Sequence, residues 1–314
     1  MTATNAIPIV EFERSRSSKK KPRFNLTNTS DLMLLEFDPV KWIVPGYVSE
    51  GFSVLAGRQK LGKTWLAIDM AIAVATGGAA MSSISCDQGD VLYIDMENGS
   101  RRIQSRISML FPNKRTMPNL SSLDWVTDAP QLDKGFIDAL EDWRSTTKNP
   151  RLVVIDVLQR IKPPAKNTGT SYEQDYSVWA PLQKWATDHG IAVIGLHHTK
   201  KGGAEDPLEA LSGSNGLSAC ADATLVLDRT SNGITLYVRG RDVEEKEAAL
   251  NFSGGFWTLQ GDAATVRRTD ERSIILEALR DADSLMSPTD LSDATRMSNQ
   301  NIRQMLVTMQ RPGK

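Results

Sequence analysis

Residues 57–64 read GRQKLGKT, set between a short apolar run, FSVLA (52–56), and a longer one, WLAIDMAIAVAT (65–76). The order predicts a buried strand, a phosphate loop of the Walker A type, and a helix that starts where the loop ends. Gly57 and Gly62 allow the backbone to close around a phosphate chain that side chains would block. Successive backbone N–H groups and the helix N-terminus supply the positive potential that holds an anion. Gly57, Arg58, Gln59, Lys60, Leu61, Gly62, Lys63, Thr64 and Trp65 are therefore expected to bind a nucleotide. Lys63 should reach the β- and γ-phosphates, and the Thr64 hydroxyl should complete the shell of a Mg²⁺ ion.

Further strands read at VLYIDM (91–96), LVVIDV (152–157) and IAVIGL (191–196), with helical segments near 100–110, 133–147 and 172–189 between them. The last two strands are nearly continuous apolar runs, as expected of parallel strands buried on both faces. Strand–helix alternation after a phosphate loop predicts a mostly parallel, doubly wound α/β sheet. In the segment 172–189, Tyr176, Trp179, Leu182 and Trp185 share one helical face, expected to pack into the core. Beyond the fourth strand, DATLVLDR (222–229), ITLYVRGR (234–241), AALNFS (248–253) and FWTL (256–259) should extend the sheet with antiparallel strands, with Asn232-Gly233 as a hairpin turn.

Two outer segments differ in character. Residues 1–30 are polar, with six basic residues from Arg14 to Arg23 and no acid among them, and are expected to be a basic flexible tail. After Asp262 three short helices are expected, at ERSIILEALRDA, SPTDLSDATRM and SNQNIRQMLVTM. Residues 270–314 would then form a helix-turn-helix-like module, or the helical part of a winged helix, or a generic three-helix packing unit. The ATPase-type core is expected over residues 31–262.

A net charge of −1 means that any nucleic-acid contact must come from local basic patches. Cys86 and Cys220 are far apart and lack a CxxC spacing, so no disulfide framework or zinc site is indicated. No apolar signal core or membrane segment is legible, and a cytoplasmic location is expected.

Hydrolysis needs more than a phosphate loop: a second acid, a positioned water and charge stabilisation. Asp156 ends the run LVVID and is the expected Mg²⁺ partner of Thr64. Asp95 and Glu97 fall on one face at the end of VLYIDMEN, and Glu97 is the candidate base for an attacking water. His197 and His198 end the fourth strand in GLHHTKKG, placed for a γ-phosphate sensor or a relay to a DNA loop.

Taken in order, GRQKLGKT, VLYIDMEN, LVVID, GLHHTKKG, SGSNGLSACADATLVLD and YVRGRDVEEKEAALNFSGGFWTL resemble the RecA-like superfamily, in its RepA-like branch beside the DnaB-type replicative helicases. The resemblance spans about 42 to 260. It implies a ring-forming, DNA-stimulated ATPase encoded by plasmids, phages or other mobile elements, a homo-oligomer of hexamer type, with ATP and Mg²⁺ as cofactors. It implies Lys63 and Thr64 on phosphate and Mg²⁺, Asp156 on Mg²⁺, Glu97 as the catalytic acid, and His197 or His198 as the sensor. Arg239 and Arg241, on one face of ITLYVRGRDVEE with Tyr237, match the arginine-finger position of such rings; pairing with Asp242, Glu244 or Glu245 on a solvated hairpin is the alternative. Single-stranded DNA is the expected partner. It would be met by Arg160, Lys162 and Lys166 of a first loop (159–172, without an acid) and by Lys200 and Lys201 of a second (199–215), where Glu205, Asp206 and Glu209 make a solvated loop an equal reading. A primase or initiator, if used, would be a separate chain. The functional expectation is a single-stranded-DNA translocase or helicase. A non-translocating RecA-like ATPase, acting as recombination mediator, loader or ATP-gated regulator, is the alternative, and a small-molecule kinase a third reading.

Overall fold

The computed structural model describes residues 26–164, 171–199, 215–230, 233–282 and 284–310. The basic run ending at Arg23, Lys166, Lys200, Lys201 and Asn232 lie outside them. The chain divides into two units, Met1–Pro39 and Val40–Lys314. In the first, a single helical turn, Thr29–Leu32, is capped by Asn28, whose side chain accepts the Asp31 N–H.

Among the described residues, the main sheet of the second unit has nine strands: β1 (Gly51–Gly57), β2 (Asp90–Asp95), β3 (Leu123–Val126), β4 (Pro150–Asp156), β5 (Ala192–His198), β6 (Ala223–Thr230), β7 (Gly233–Gly240), β8 (Lys246–Ser253) and β9 (Phe256–Asp262). Across the sheet they run β9-β8-β7-β6-β1-β5-β4-β2-β3. The six from β6 to β3 are parallel, and β7, β8 and β9 continue antiparallel from β6. The expected strands are all present. The edge strand β3 was not foreseen, because LDWV is too short and mixed to carry a period. The fourth expected strand runs on through His198, so both histidines belong to β5 itself.

Helices cover both faces. On one lies α1 (Lys63–Thr76), whose Leu66, Ile68 and Met70 pack in the same cluster as Leu55. On the other, α3 (Phe136–Thr146) and α5 (Ser171–His189) bring Phe136, Leu140, Trp179, Leu182 and Trp185 against Phe52, Val54 and Ala56. Alternate residues of β1 thus enter two different cores, which is why its sequence shows no polar face. Between these helices in the chain come α2 (Ser100–Leu110) and the short α4 (Leu158–Ile161). Of the four residues expected to share a buried face on α5, Trp179, Leu182 and Trp185 are buried, but Tyr176 is 45% exposed. It lies one turn beyond the edge of the core that Phe52 and Trp179 define by stacking. A further helix, α6 (Asn215–Cys220), precedes β6.

The C-terminal helices depart from expectation at their start. Instead of beginning near Glu271, α7 (Ala263–Asp281) leaves β9 directly, because the Asp262 carboxylate accepts the Thr265 N–H and caps it. The next helix, α8 (Pro288–Thr295), begins in a capping box between Ser287 and Asp290. It ends at Arg296, which adopts the left-handed conformation, and α9 (Asn299–Gln310) follows after three residues. Ile275, Leu291 and Ile302, one from each helix, make a small core ringed by methionines. Helices α8 and α9, joined by a short turn, pack on that core together with α7.

Candidate nucleotide-binding site

The phosphate loop connects β1 to α1 at the C-terminal edge of the parallel strands, where open α/β sheets gather their sites. Gly62 is the N-cap of α1 with φ of +102°, and a Cβ there would lie 2.7 Å from Trp257 of β9. Glycine at this position therefore answers to the ring behind the loop as well as to an anion in front of it. Lys63 is buried, its Nζ donating to the carbonyls of Gly57 (2.7 Å) and Arg58 (2.9 Å). Burial draws the ammonium down to about 8, while Asp156 and Glu97 act to keep it charged.

His198 lies beside it, with Nδ1 3.1 Å from Lys63 Nζ and Nε2 3.7 Å from Glu97 Oε1. An ammonium can only donate, so Nδ1 accepts and the ring proton sits on Nε2, toward Glu97. Burial and the adjacent Lys63 charge lower the His198 pKa, and Glu97 opposes them, so the ring is neutral at pH 7. His197 points to the opposite face of β5. Its surroundings include His198, Lys162, Lys63 and Asp175, and burial above all pushes it down to about 4. The structure thus separates the two neighbours: only His198 lines the cleft of about 570 Å³ above the loop.

Asp156, at the end of β4, is almost fully buried. Tyr93 donates to it at 3.3 Å, and the Thr64 hydroxyl favours its charged form. Burial raises its pKa to about 6, with Asp95 and Glu97 adding repulsion. Asp95 has no exposed surface and is committed elsewhere. Its carboxylate accepts Asn98 N–H (2.8 Å) and Asn98 Nδ2 (2.9 Å) and stands 3.7 Å from Arg106. Of the two acids on this strand end, Glu97 is the one that opens into the cleft.

Arg102, Arg106, Asn98, Arg229 and Phe252 also line the cleft and were not picked out from the sequence. Asn98 Oδ1 holds Arg102 (2.9 Å) and Arg106 (3.4 Å), which stand one turn apart on α2. Helical spacing after Glu97 was a legible signal for that pair. Arg229 and Phe252 arrive from β6 and β8, and nothing local in the sequence marks them. Arg106 Nη1 is buried without a hydrogen-bond partner. Two arginines, a buried lysine and the N-terminus of α1 around one cleft fit a polyphosphate. Thr64 and one carboxylate, Asp156, fit Mg²⁺, which keeps most of its waters and shares substrate phosphates. Among the described residues no cluster of three or more metal-ligating side chains occurs.

Residues 19–204, more than half of the chain, match the family model for an AAA domain, AAA_25. The chain belongs to the AAA_25 family. Two solved structures share its fold. One is an ATPase domain (TM-score 0.51, 19% identity, 67% of this chain and 84% of that one). The other is a DnaB-like replicative helicase described with its interactions with primase (TM-score 0.50, 18% identity, 68% of this chain). This chain covers 58% of the helicase's length. The fold is that of a RecA-like, DnaB-type ATPase domain, and this AAA_25 member is a P-loop NTPase.

Of the remaining expected site residues, Arg160, Lys162, Arg239 and Arg241 do not line the cleft of this AAA_25 domain, and Lys166, Lys200 and Lys201 lie outside the described residues. Arg160 is exposed on α4. Lys162 was expected in a loop without an acid, but it is paired with Asp175 of α5, a contact outside the loop that sequence order hides. Arg239 pairs with Glu245 (2.6 Å), one of the hairpin acids. Arg241 does not share the β7 face expected for it. The strand ends at Gly240, and the side chain turns back to Asp222 at 3.0 Å. Thr224 pairs with both Arg239 and Val54, and Asp222 bonds both Arg241 and Phe52, so Arg239 is level with the middle of β1 and Arg241 with its start, whereas the loop follows its end. About 16 Å of strand separates Phe52 from Gly57, at ~3.3 Å per residue, so Arg241 does not reach its own chain's phosphate loop, and Arg239 is held by Glu245.

Proposed function

We propose that this chain is an ATP-hydrolysing, homo-oligomeric motor on single-stranded DNA, a helicase or translocase of the ring-forming, hexameric kind. The observation that carries the reading is the line Lys63–His198–Glu97 beside Asp156, on one edge of the sheet. Lys63, Arg106 and the loop amides hold the triphosphate, and Thr64 and Asp156 hold Mg²⁺. Mg²⁺ held there would supply positive charge to offset that of the phosphates. Glu97 orients the attacking water and takes its proton. Neutral His198, touching both Lys63 and Glu97, senses whether the γ-phosphate is present. Arg241, with Arg239 beside it, can meet only a nucleotide bound by another copy, which supports an assembly in which each site is finished by its neighbour. Arg160 and the loop after it meet the DNA backbone. The likeness to a DnaB-like replicative helicase supports a separate primase as a further partner.

The test is ATP turnover with and without single-stranded DNA, alongside displacement on a forked substrate and a mass measurement with and without nucleotide. DNA-stimulated phosphate release, strand displacement and a nucleotide-dependent oligomer are expected. Phosphorylation of a small acceptor in place of phosphate release would overturn the reading.

Helices α8 and α9, taken as a helix-turn-helix pair, favour a second reading, a RecA-like ATPase that does not translocate and holds duplex DNA through α9. That helix exposes Gln300, Arg303 and Gln304 and contains no acid. DNA-dependent hydrolysis without strand displacement would select it.

A further inference from the structure

Asp222 lies just before β6 and gathers an unusual set of partners. Its N–H donates to the Phe52 carbonyl at 2.7 Å, and its own carbonyl accepts the Arg241 N–H at 2.9 Å. One carboxylate oxygen accepts the Phe52 N–H at 2.9 Å, and the other accepts Gln183 Nε2 at 3.1 Å and Arg241 Nη1 at 3.0 Å. The start of β1, helix α5 and the end of β7 are therefore tied through one side chain.

The space for it is built in. Gly51 has φ of +100°, and a Cβ there would fall 2.6 Å from Asp222 Oδ2, so any other residue would displace the carboxylate. The Asp222 side chain is 11% exposed, while Arg241 is 61% exposed. An exposed arginine ordinarily spreads over many rotamers, and surface ion pairs do little to restrict it. Here the acid is itself held by a backbone amide and a glutamine, so it offers a fixed anchor. The Arg241 main chain is fastened to the same residue.

We propose that Asp222 is a positioning residue that holds Arg241 ready to meet the nucleotide of an adjoining subunit; this rests on Arg241 being the trans-acting residue of the proposed function. The same carboxylate grips Phe52, and β1 leads from there to the phosphate loop. One strand thus joins the group a subunit lends to its neighbour with the loop that holds its own nucleotide.

The test uses the full chain with ATP and single-stranded DNA. Asp222→Asn keeps an oxygen for Phe52 N–H and removes the charge that fixes Arg241. A fall in kcat of roughly tenfold is expected, with KM for ATP within about twofold. In an Arg241→Ala background the same change should have no further effect. Mixing Asp222→Asn with Lys63→Ala protein should restore turnover, since the intact loop of one meets the intact arginine of the other. A merely structural defect would impair the Asp222→Asn loop as well and give no restoration. Unchanged kcat in Asp222→Asn, additivity with Arg241→Ala, or no restoration in confirmed mixed oligomers overturns the positioning role alone. Full turnover by Arg241→Ala overturns the trans-acting reading and the positioning role with it. Should Asp222→Asn not accumulate as folded protein, Gln183→Leu loosens the same anchor, and a loss in kcat without a change in KM is again expected; no loss would overturn the proposal.

Discussion

Lys63 and His198 stand 3.1 Å apart, Nζ to Nδ1, and that contact fixes the imidazole proton on the side facing Glu97. The lysine most exposed to a change of phosphate charge is thus connected, through one ring, to the acid placed to orient water. Bound phosphate that draws Lys63 away from Nδ1 would free the ring, and the position of His198 would then report occupancy.

His198→Ala should separate binding from turnover. Affinity for a non-hydrolysable ATP analogue is expected to change by only a few-fold, while kcat falls by about 10–100-fold and DNA stimulation is lost. His197→Ala, altered on the opposite face of β5, should show a much smaller loss. Equal effects of the two substitutions would mean that the strand end, not the His198 ring, carries the signal.

Glu97→Gln should bind ATP normally and hydrolyse it about 10²–10⁴ times more slowly, as loss of a general base gives. Asp95→Asn should instead lower thermal stability, because Asp95 is fully buried and holds the turn to Asn98. Steady-state turnover and a melting curve for each variant decide the matter. Normal turnover in Glu97→Gln would pass the role to another acid.

Arg160 and Lys162 should part company in their salt dependence. Arg160 is exposed and lacks the buried ion pair of its neighbour. If it meets one phosphate, Arg160→Ala lowers the slope of log K against log salt by about 0.7 for single-stranded DNA. Lys162→Ala and Asp175→Asn should each lower Tm instead, since each leaves a partly buried charge alone. A lowered slope with unchanged Tm in Lys162→Ala would mean the pair opens to admit DNA.

Asp69 supplies a pH-dependent prediction outside the cleft. Burial raises its carboxyl to about 6, against the stabilising hydrogen bond from Met81 N–H at 2.6 Å. The folded state therefore binds a proton more tightly than the unfolded state, and this group's contribution to stability falls as pH rises from about 4 to 6. Asp69→Asn keeps an acceptor for Met81 and removes the charge. Melting at pH 8 should rise by several degrees, for a gain of up to ~3 kcal/mol, and the difference should vanish near pH 4. A gain that persists at pH 4 would assign it to something other than the charge.

The core of the fold was legible because β1, β4 and β5 are buried on both faces and leave unbroken apolar runs. The phosphate loop was legible because its geometry depends on contiguous residues. Arg229 and Phe252 were not, since they reach the cleft from strands far along the chain and carry no local pattern. The partner of Lys162 was hidden for the same reason: Asp175 lies beyond the loop, inside the next helix. The start of α7 was misread because weight fell on the apolar period after Glu271, while the cap at Asp262 decided it. Choosing between His197 and His198 required knowing which strand face meets the loop, a parity set by β5 pairing Gly57 with His198.

The opposite placement of the loop and Arg241 along β1 has a consequence for symmetry. In a two-fold pair the contact is reciprocal: each loop would meet the other copy's arginine, and the assembly would close at two. In the head-to-tail arrangement that a ring requires, each copy gives its arginine to one neighbour and its loop to the other, and such an interface repeats until rotation closes it or a helical filament grows. A subunit built this way has a direction, and the order in which neighbouring sites can fire follows from it.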